Sequence, residues 1–261
     1  MEIRLDGRVA LITGGSMGMG KAMAEKFASA GAQVAIVARR PEPLAETARQ
    51  IVAAGGDCRA YPGDVSKADE VGRLFAAISG DLQRVDILVN NAGRSQAGKF
   101  EDLTDEVWQD DFDLKVFAAV RFARLAFPGM KQRRWGRIIN VLNIGAKAPG
   151  PGSAPTTVMR AAGMALTKVL AGEGAPYDVL VNSLMTGLIV SDQWARRHRR
   201  DFSDQSFEDF LAEQARSQRI PIGRFGTAEE FANVACFLAS DAASYVSGAA
   251  INVDGAKSPV V

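Results

Sequence analysis

The chain has 261 residues, 47% of them apolar and 23% charged, with 31 basic against 30 acidic side chains and a formal net charge of +1. That much apolar material builds a core without disulfides or metals, and the even charge balance gives no reason to expect nucleic acid or another polyanion as a partner. No run approaches the roughly 18 apolar residues of a spanning helix, and Met1-Glu2-Ile3-Arg4-Leu5-Asp6 lacks the basic start and apolar stretch of a signal peptide, so no membrane is expected and the cytoplasm is the default location.

Along the chain, short apolar runs alternate with amphipathic stretches. Strands are predicted at 8–13, 33–38, 57–61, 85–89, 137–142, 179–184 and 249–253, and helices near 17–30, 41–54, 67–79, 104–133, 157–173 and 227–239. Strands rich in Val, Ile and Leu, each followed by a helix of this length, imply a parallel sheet covered on both faces. The fold class is therefore α/β, a single doubly wound domain over residues 1–261 with a seven-stranded parallel sheet. Two stretches break the rhythm. Residues 147–155 are too rich in Pro and Gly for a helix or strand, and 188–224 is longer than an ordinary connection and holds a helix-like segment. The second reads as a substrate lid at the carboxyl edge of the sheet, where ligands bind in such folds. Cys58 and Cys236 stand far apart in apolar surroundings and read as buried free thiols, with no metal spacing around them.

The first strand ends in Thr13-Gly14-Gly15-Ser16-Met17-Gly18-Met19-Gly20 and runs straight into a helix. Glycines there let the backbone approach a pyrophosphate, which the helix N-terminus then stabilises. A glycine cluster alone is a common turn, and its place between strand and helix is what gives it meaning. The second strand ends in Arg39-Arg40, with Arg39 standing 19 residues past Gly20. An NAD site would place a carboxylate there for the ribose 2′-hydroxyl, whereas an arginine can fork onto a 2′-phosphate. The cofactor expected is NADP(H) rather than NAD(H).

The spacing of Thr13-Gly14, Gly18 and Gly20 resembles the short-chain dehydrogenase/reductase family, a Rossmann-type fold. Further matches run nearly the length of the chain: Asp64-Val65, Asn90-Asn91-Ala92-Gly93, the strand Gly136-Arg137-Ile138-Ile139-Asn140-Val141, Val181-Asn182 followed by Gly187, Ser247-Gly248, and Val253-Asp254-Gly255. Thr186 stands where the family usually has proline. The resemblance implies a cofactor site made of Gly14, Ser16, Met17, Gly18, Met19, Gly20, Arg39, Arg40, Asp64, Val65, Asn91, Ala92, Gly93, Arg160, Gly187 and Ile189. It also implies a small-molecule substrate and a homotetramer or homodimer joined through 114–133 and 157–173.

Family members reduce a carbonyl with an Asn–Ser–Tyr–Lys tetrad. Matched residue by residue, these fall on Asp113, Asn143, Thr156 and Arg160, and all four depart from the pattern. Asn143 can still donate to a carbonyl, and Arg160 can hold the ribose. Thr156 is the serious change, because an aliphatic hydroxyl is far less acidic than a phenol and acid–base catalysis is worth about 10²–10⁴-fold. Tyr61, Tyr177 and Tyr245 read as structural. His198, within Ala195-Arg196-Arg197-His198-Arg199-Arg200 of the lid, is a speculative substitute acid, set against the simpler reading of a solvated basic helix face. The same arginines could bind an anionic group. Efficient ordinary ketone reduction is therefore not expected. The readings left open are an oxidoreductase with weak or non-standard chemistry, an NADP(H)-binding pseudoenzyme acting as a sensor or as the inactive partner in an oligomer, and, behind both, a non-redox dehalogenase or lyase.

Overall fold

Residues whose side chains are apolar on both sides of a strand can be buried only if both faces of the sheet are covered, and β1 shows the result. In the computed structural model, which describes residues 3–261, Ala10 and Ile12 pack into one core with Phe27, Leu44 and Phe231, while Val9 and Leu11 pack into another with Leu74, Phe122 and Met130. Each fully buried large side chain is worth about 1.5–3 kcal/mol.

The strands are Val9–Thr13 (β1), Gln33–Ala38 (β2), Asp57–Pro62 (β3), Ile87–Asn90 (β4), Gly136–Asn143 (β5), Val179–Thr186 (β6) and Ala250–Val253 (β7). They form one parallel seven-stranded sheet in the order β3-β2-β1-β4-β5-β6-β7. The helices are Gly18–Ser29 (α1), Pro41–Ala53 (α2), Ala68–Leu82 (α3), Asp105–Phe112 (α4), Ala118–Arg133 (α5), Thr156–Gly174 (α6), Asp192–Asp201 (α7), Phe207–Ser217 (α8) and Ala228–Ala239 (α9). Strand order reverses between β1 and β4, so the loops after these two strands diverge and leave a crevice.

Two expectations change. The predicted helix over 104–133 is α4 and α5 joined by a π-helical turn, Asp113–Phe117. Its flanking residues keep ordinary helical dihedrals (φ −65°, ψ −48° at Phe112; φ −56°, ψ −48° at Ala118). A reading of hydrophobic periodicity runs straight through such a turn, which adds one residue without breaking the helix. The 188–224 stretch, expected as a lid, holds two helices, α7 and α8, around a small core: Ala215, Ile220 and Phe225, with Trp194, Leu188 and Leu211 against them. Trp194 meets Phe225 edge-on at 4.8 Å between ring centres and so fastens the lid rather than offering a face to a ligand. Cys58 and Cys236 are free and buried, and burial pushes their thiols up to about 12 and about 11. No helix among the described residues is long and apolar enough to cross a membrane.

Candidate active site

At the carboxyl ends of β1 and β4, Thr13 ties the two strands together. Its hydroxyl donates to the Val89 carbonyl at 3.2 Å and accepts from the Asn91 and Ala92 N–H groups, both at 3.0 Å. The Asn91 amide donates to the carbonyls of Thr13 (2.9 Å) and Gly14 (3.3 Å), so Asn91 holds the glycine turn in shape. Gly14 adopts φ +70°, which side-chain-bearing residues rarely reach. A Cβ on Gly20 would collide with the Gly14 carbonyl oxygen, so α1 can enter this close to the turn only with glycine there. Met17 precedes α1 in an extended conformation, with no side chain capping the helix. The first-turn N–H groups are thereby left for an anion.

A hollow of about 420 Å³ opens beside this turn, lined by Gly14, Ser16, Met17, Arg39, Arg40, Asp64, Val65, Ala92 and Gly93 among others. The Arg40 guanidinium donates to the Met17 sulfur at 3.4 Å, and the Asp64 carboxylate accepts from the N–H and hydroxyl of Ser66. A second hollow of about 370 Å³ shares Gly14, Met17 and residues 92–94 with the first. It continues past Gly18, Met19, Gly20 and Asn91 to Asn143, Thr156, Arg160 and Thr186, ending under the lid at Ser191–Gln193 and Arg196. The predicted cofactor residues thus line one continuous cleft, with two exceptions. Gly187 packs against Asp254, and Ile189 is buried against Gly226 and lines a separate hollow with Ile222 and Val234.

Of the four catalytic positions, Asn143, Thr156 and Arg160 meet at the floor of the cleft and Asp113 does not. Asp113 lies on the other side of its helix, where it accepts from Arg121 at 3.0 Å and from Gln109 at 2.8 Å. Arg121 also reaches the Ser66 carbonyl at 2.8 Å. The π turn changes which side chains of this segment look inward, and the one facing Thr156 is Lys115. Its side chain is 1% exposed and its ammonium donates to the Thr156 hydroxyl at 2.9 Å. One helical turn earlier, Asp111, fully buried, forms an ion pair with it. Neither residue was singled out from the sequence. The available signal was a charged pair four residues apart inside a stretch that packs on the core.

Burial brings the Lys115 ammonium down to about 8; Asp111 opposes that shift, while the positive charges of Arg160 and Arg94 add to it. Arg160 donates to the Val141 carbonyl, and its guanidinium packs on Gly93, where a Cβ would make it shift. Burial lowers its guanidinium to about 10, which leaves it charged at neutrality. The Arg160 Nε and the Asn143 amide oxygen are buried without hydrogen-bond partners, so both have capacity to spare for a ligand. The Thr156 oxygen also accepts from the Gln96 N–H at 3.0 Å.

The remaining candidates stand away from the cleft. His198 is held inside the lid by the Gln205 carbonyl (2.8 Å) and the rings of Phe207 and Phe210. It is a packing residue of the α7–α8 pair, and the speculative acid is withdrawn. Tyr61 donates to Asp81 at 2.9 Å under β3, and Tyr177 and Tyr245 are exposed at helix ends. No tyrosine among the described residues lines the cleft, and no group of His, Cys, Asp and Glu is placed to hold a metal.

A strand-order reversal flanked by a glycine turn, opening onto a cleft floored by residues of β5 and α6, defines a dinucleotide-dependent oxidoreductase architecture. The chain belongs to the short-chain dehydrogenase/reductase family: residues 14–256 match the family model described as enoyl-(acyl carrier protein) reductase. It is 34% identical over 260 residues to the 3-oxoacyl-[acyl-carrier-protein] reductase FabG of Aquifex aeolicus, covering 98% of this chain and 99% of that protein. Among solved structures it superimposes on L-sorbose reductase from Gluconobacter frateurii, complexed with NADPH and L-sorbose, with a TM-score of 0.94 and 35% identity over the whole of both chains. An NADPH-bound short-chain oxidoreductase from Pseudomonas aeruginosa PAO1, described as containing an atypical catalytic center, matches with a TM-score of 0.92 and 35% identity over 99% of each chain.

Proposed function

We propose that the chain is an NADPH-dependent carbonyl reductase in which Lys115, acting through Thr156, delivers the proton that the family takes from a tyrosine. The observation carrying this reading is the 2.9 Å contact between the Lys115 ammonium and the Thr156 hydroxyl at the floor of the cleft. The nucleotide half fits the cofactor. The α1 N-terminus and Gly14–Gly20 would take the pyrophosphate, Arg39 and Arg40 the 2′-phosphate, Asp64 and Val65 the adenine, and Arg160 the nicotinamide ribose. Bound there, NADPH supplies a hydride to the carbonyl carbon.

The proton is the part this chain must supply. Thr156 oxygen already accepts two hydrogen bonds, from Lys115 and from the Gln96 N–H, so its own O–H is left to point at a substrate oxygen. As negative charge builds on that oxygen, it takes the Thr156 proton while Thr156 takes one from Lys115. The threonine never carries charge, and the acidity that counts is that of the lysine. A donor with a pKa of about 8 is well matched to neutral pH. The neutral amine left behind stays beside Asp111 until solvent returns its proton. The Asn143 amide N–H is the group that would donate to the substrate carbonyl.

The sign of the pH dependence follows. Lys115 is protonated below about 8, so kcat for carbonyl reduction holds there and declines as pH rises through that value, while alcohol oxidation, which needs the neutral amine, gains. The test is a pH–rate profile for the protein and for Thr156→Val with a carbonyl panel, alongside NADPH binding by fluorescence. Unchanged kcat in Thr156→Val would sink the relay. A sensor or a lyase needs no proton donor under a nicotinamide pocket, and no observation favours either. Exposed Leu125 on α5 and Val158 and Val169 on α6 support the expected subunit contact on that face.

A further inference from the structure

The charges around the substrate end of the cleft do not balance. The side chains lining it include Arg94, Arg160 and Arg196 against a single carboxylate, Asp192. Beneath the floor Lys115 is matched by Asp111 and adds no net charge. Asp192 is bound to Arg196, one helical turn away. Arg94 meets Asp110 only at 3.7 Å, with both side chains largely exposed, a pairing that holds it weakly. Arg160 has no carboxylate in hydrogen-bond contact, only the Val141 carbonyl.

The cofactor would account for Arg160 at its ribose but not for Arg196. Its 2′-phosphate would sit in the adjoining hollow with Arg39 and Arg40, which Arg94 also lines and Arg196 does not, and its pyrophosphate at the glycine turn. Arg196 instead rises from α7, which also carries Arg197, Arg199 and Arg200. Arg94 follows β4 and lines the same hollow. Positive charge concentrated in a cleft with low-dielectric walls raises the local concentration of anions and repels cations. We propose that the carbonyl substrate is an anion, a small oxo acid or phosphate ester whose charged group is held between Arg94 and Arg196 while its carbonyl lies over Thr156 and Asn143. This rests on the reductase reading for the orientation of the carbonyl and stands on its own for the anion.

An arginine–carboxylate contact in a partly closed cleft is worth about tenfold in affinity or more. The experiment measures binding of three- to six-carbon oxo acids and of their methyl esters to the protein loaded with NADP+, by calorimetry. With the oxidised cofactor a ketone cannot be turned over, so the result is independent of the proton relay. At least one acid should bind about tenfold or more tightly than its ester, and Arg94→Gln and Arg196→Gln should each remove most of that preference while leaving the ester unchanged. A phosphate ester compared with its neutral alcohol separates phosphate from carboxylate as the preferred group. Equal binding of acid and ester, no binding of either, or a preference that survives both substitutions overturns the proposal. So does an Arg196→Gln protein that loses NADP+ affinity and keeps its acid preference, since that assigns Arg196 to the cofactor. Unchanged turnover in the relay variants with the preference intact would count against the reductase reading alone.

Discussion

The two halves of the cleft are built from different materials. Around Gly14–Gly20 the surface offered to a ligand is mostly backbone, shaped by two left-handed glycines, one close approach and a helix start without a cap. Around Thr156 it is mostly side chains, and their positions depend on the phase of a helix that carries an extra residue. A backbone site tolerates little change in residue type and survives only whole. A side-chain site can exchange its parts, provided a group of the right acidity still arrives at the same point. The difference teaches that a lost phenol in the second half need not mean lost chemistry.

That contrast can be broken most decisively at Lys115. Lys115→Met should lower kcat for reduction by about 10²–10⁴-fold without weakening NADPH, and should abolish the break near pH 8; unaltered turnover would place the proton donor elsewhere. The same change leaves Asp111 buried without its counter-charge, at a cost of about 3–5 kcal/mol in unfolding free energy. Lys115→Met combined with Asp111→Leu should restore most of the stability and none of the activity, read from denaturant melts beside assays. On the backbone side, Gly20→Ala drives a methyl group into the Gly14 carbonyl and should cost about 1–3 kcal/mol, roughly ten- to a hundredfold in NADPH affinity. The smallest effect is expected from Arg39→Ala or Arg40→Ala, about tenfold each in the ratio of NADPH to NADH affinity. A ratio unmoved by both would remove the arginines from the 2′-phosphate.

How far the sequence could be read follows the same division. Strand runs and glycine spacing are local, so the sheet was legible from its seven apolar runs and the lining of the first hollow from residues between Gly14 and Gly93. Asn143, Thr156 and Arg160 were legible too, because β5 and α6 are regular and keep their spacing. Asp113 does not reach the cleft because a match of residue types along the chain does not fix which side of a helix a residue faces, and the widened turn puts Lys115 toward Thr156 and Asp113 toward Arg121. His198 looked chemical because it is the one histidine in the chain. Only tertiary packing reveals that its ring is enclosed by Phe207 and Phe210.

The widened turn between α4 and α5 also works as a phase shifter. Asp111 just before it and Lys115 within it form the buried pair beneath the cleft; downstream the helix packs into the interior with Phe122, Ala126 and Met130. A straight α-helix of the same length would hold both tasks at one fixed angle. Removing a single residue there would swing one end by about 100° relative to the other, so either the interior contacts or the reactive pair would point astray. Length in this segment is therefore under tighter constraint than composition.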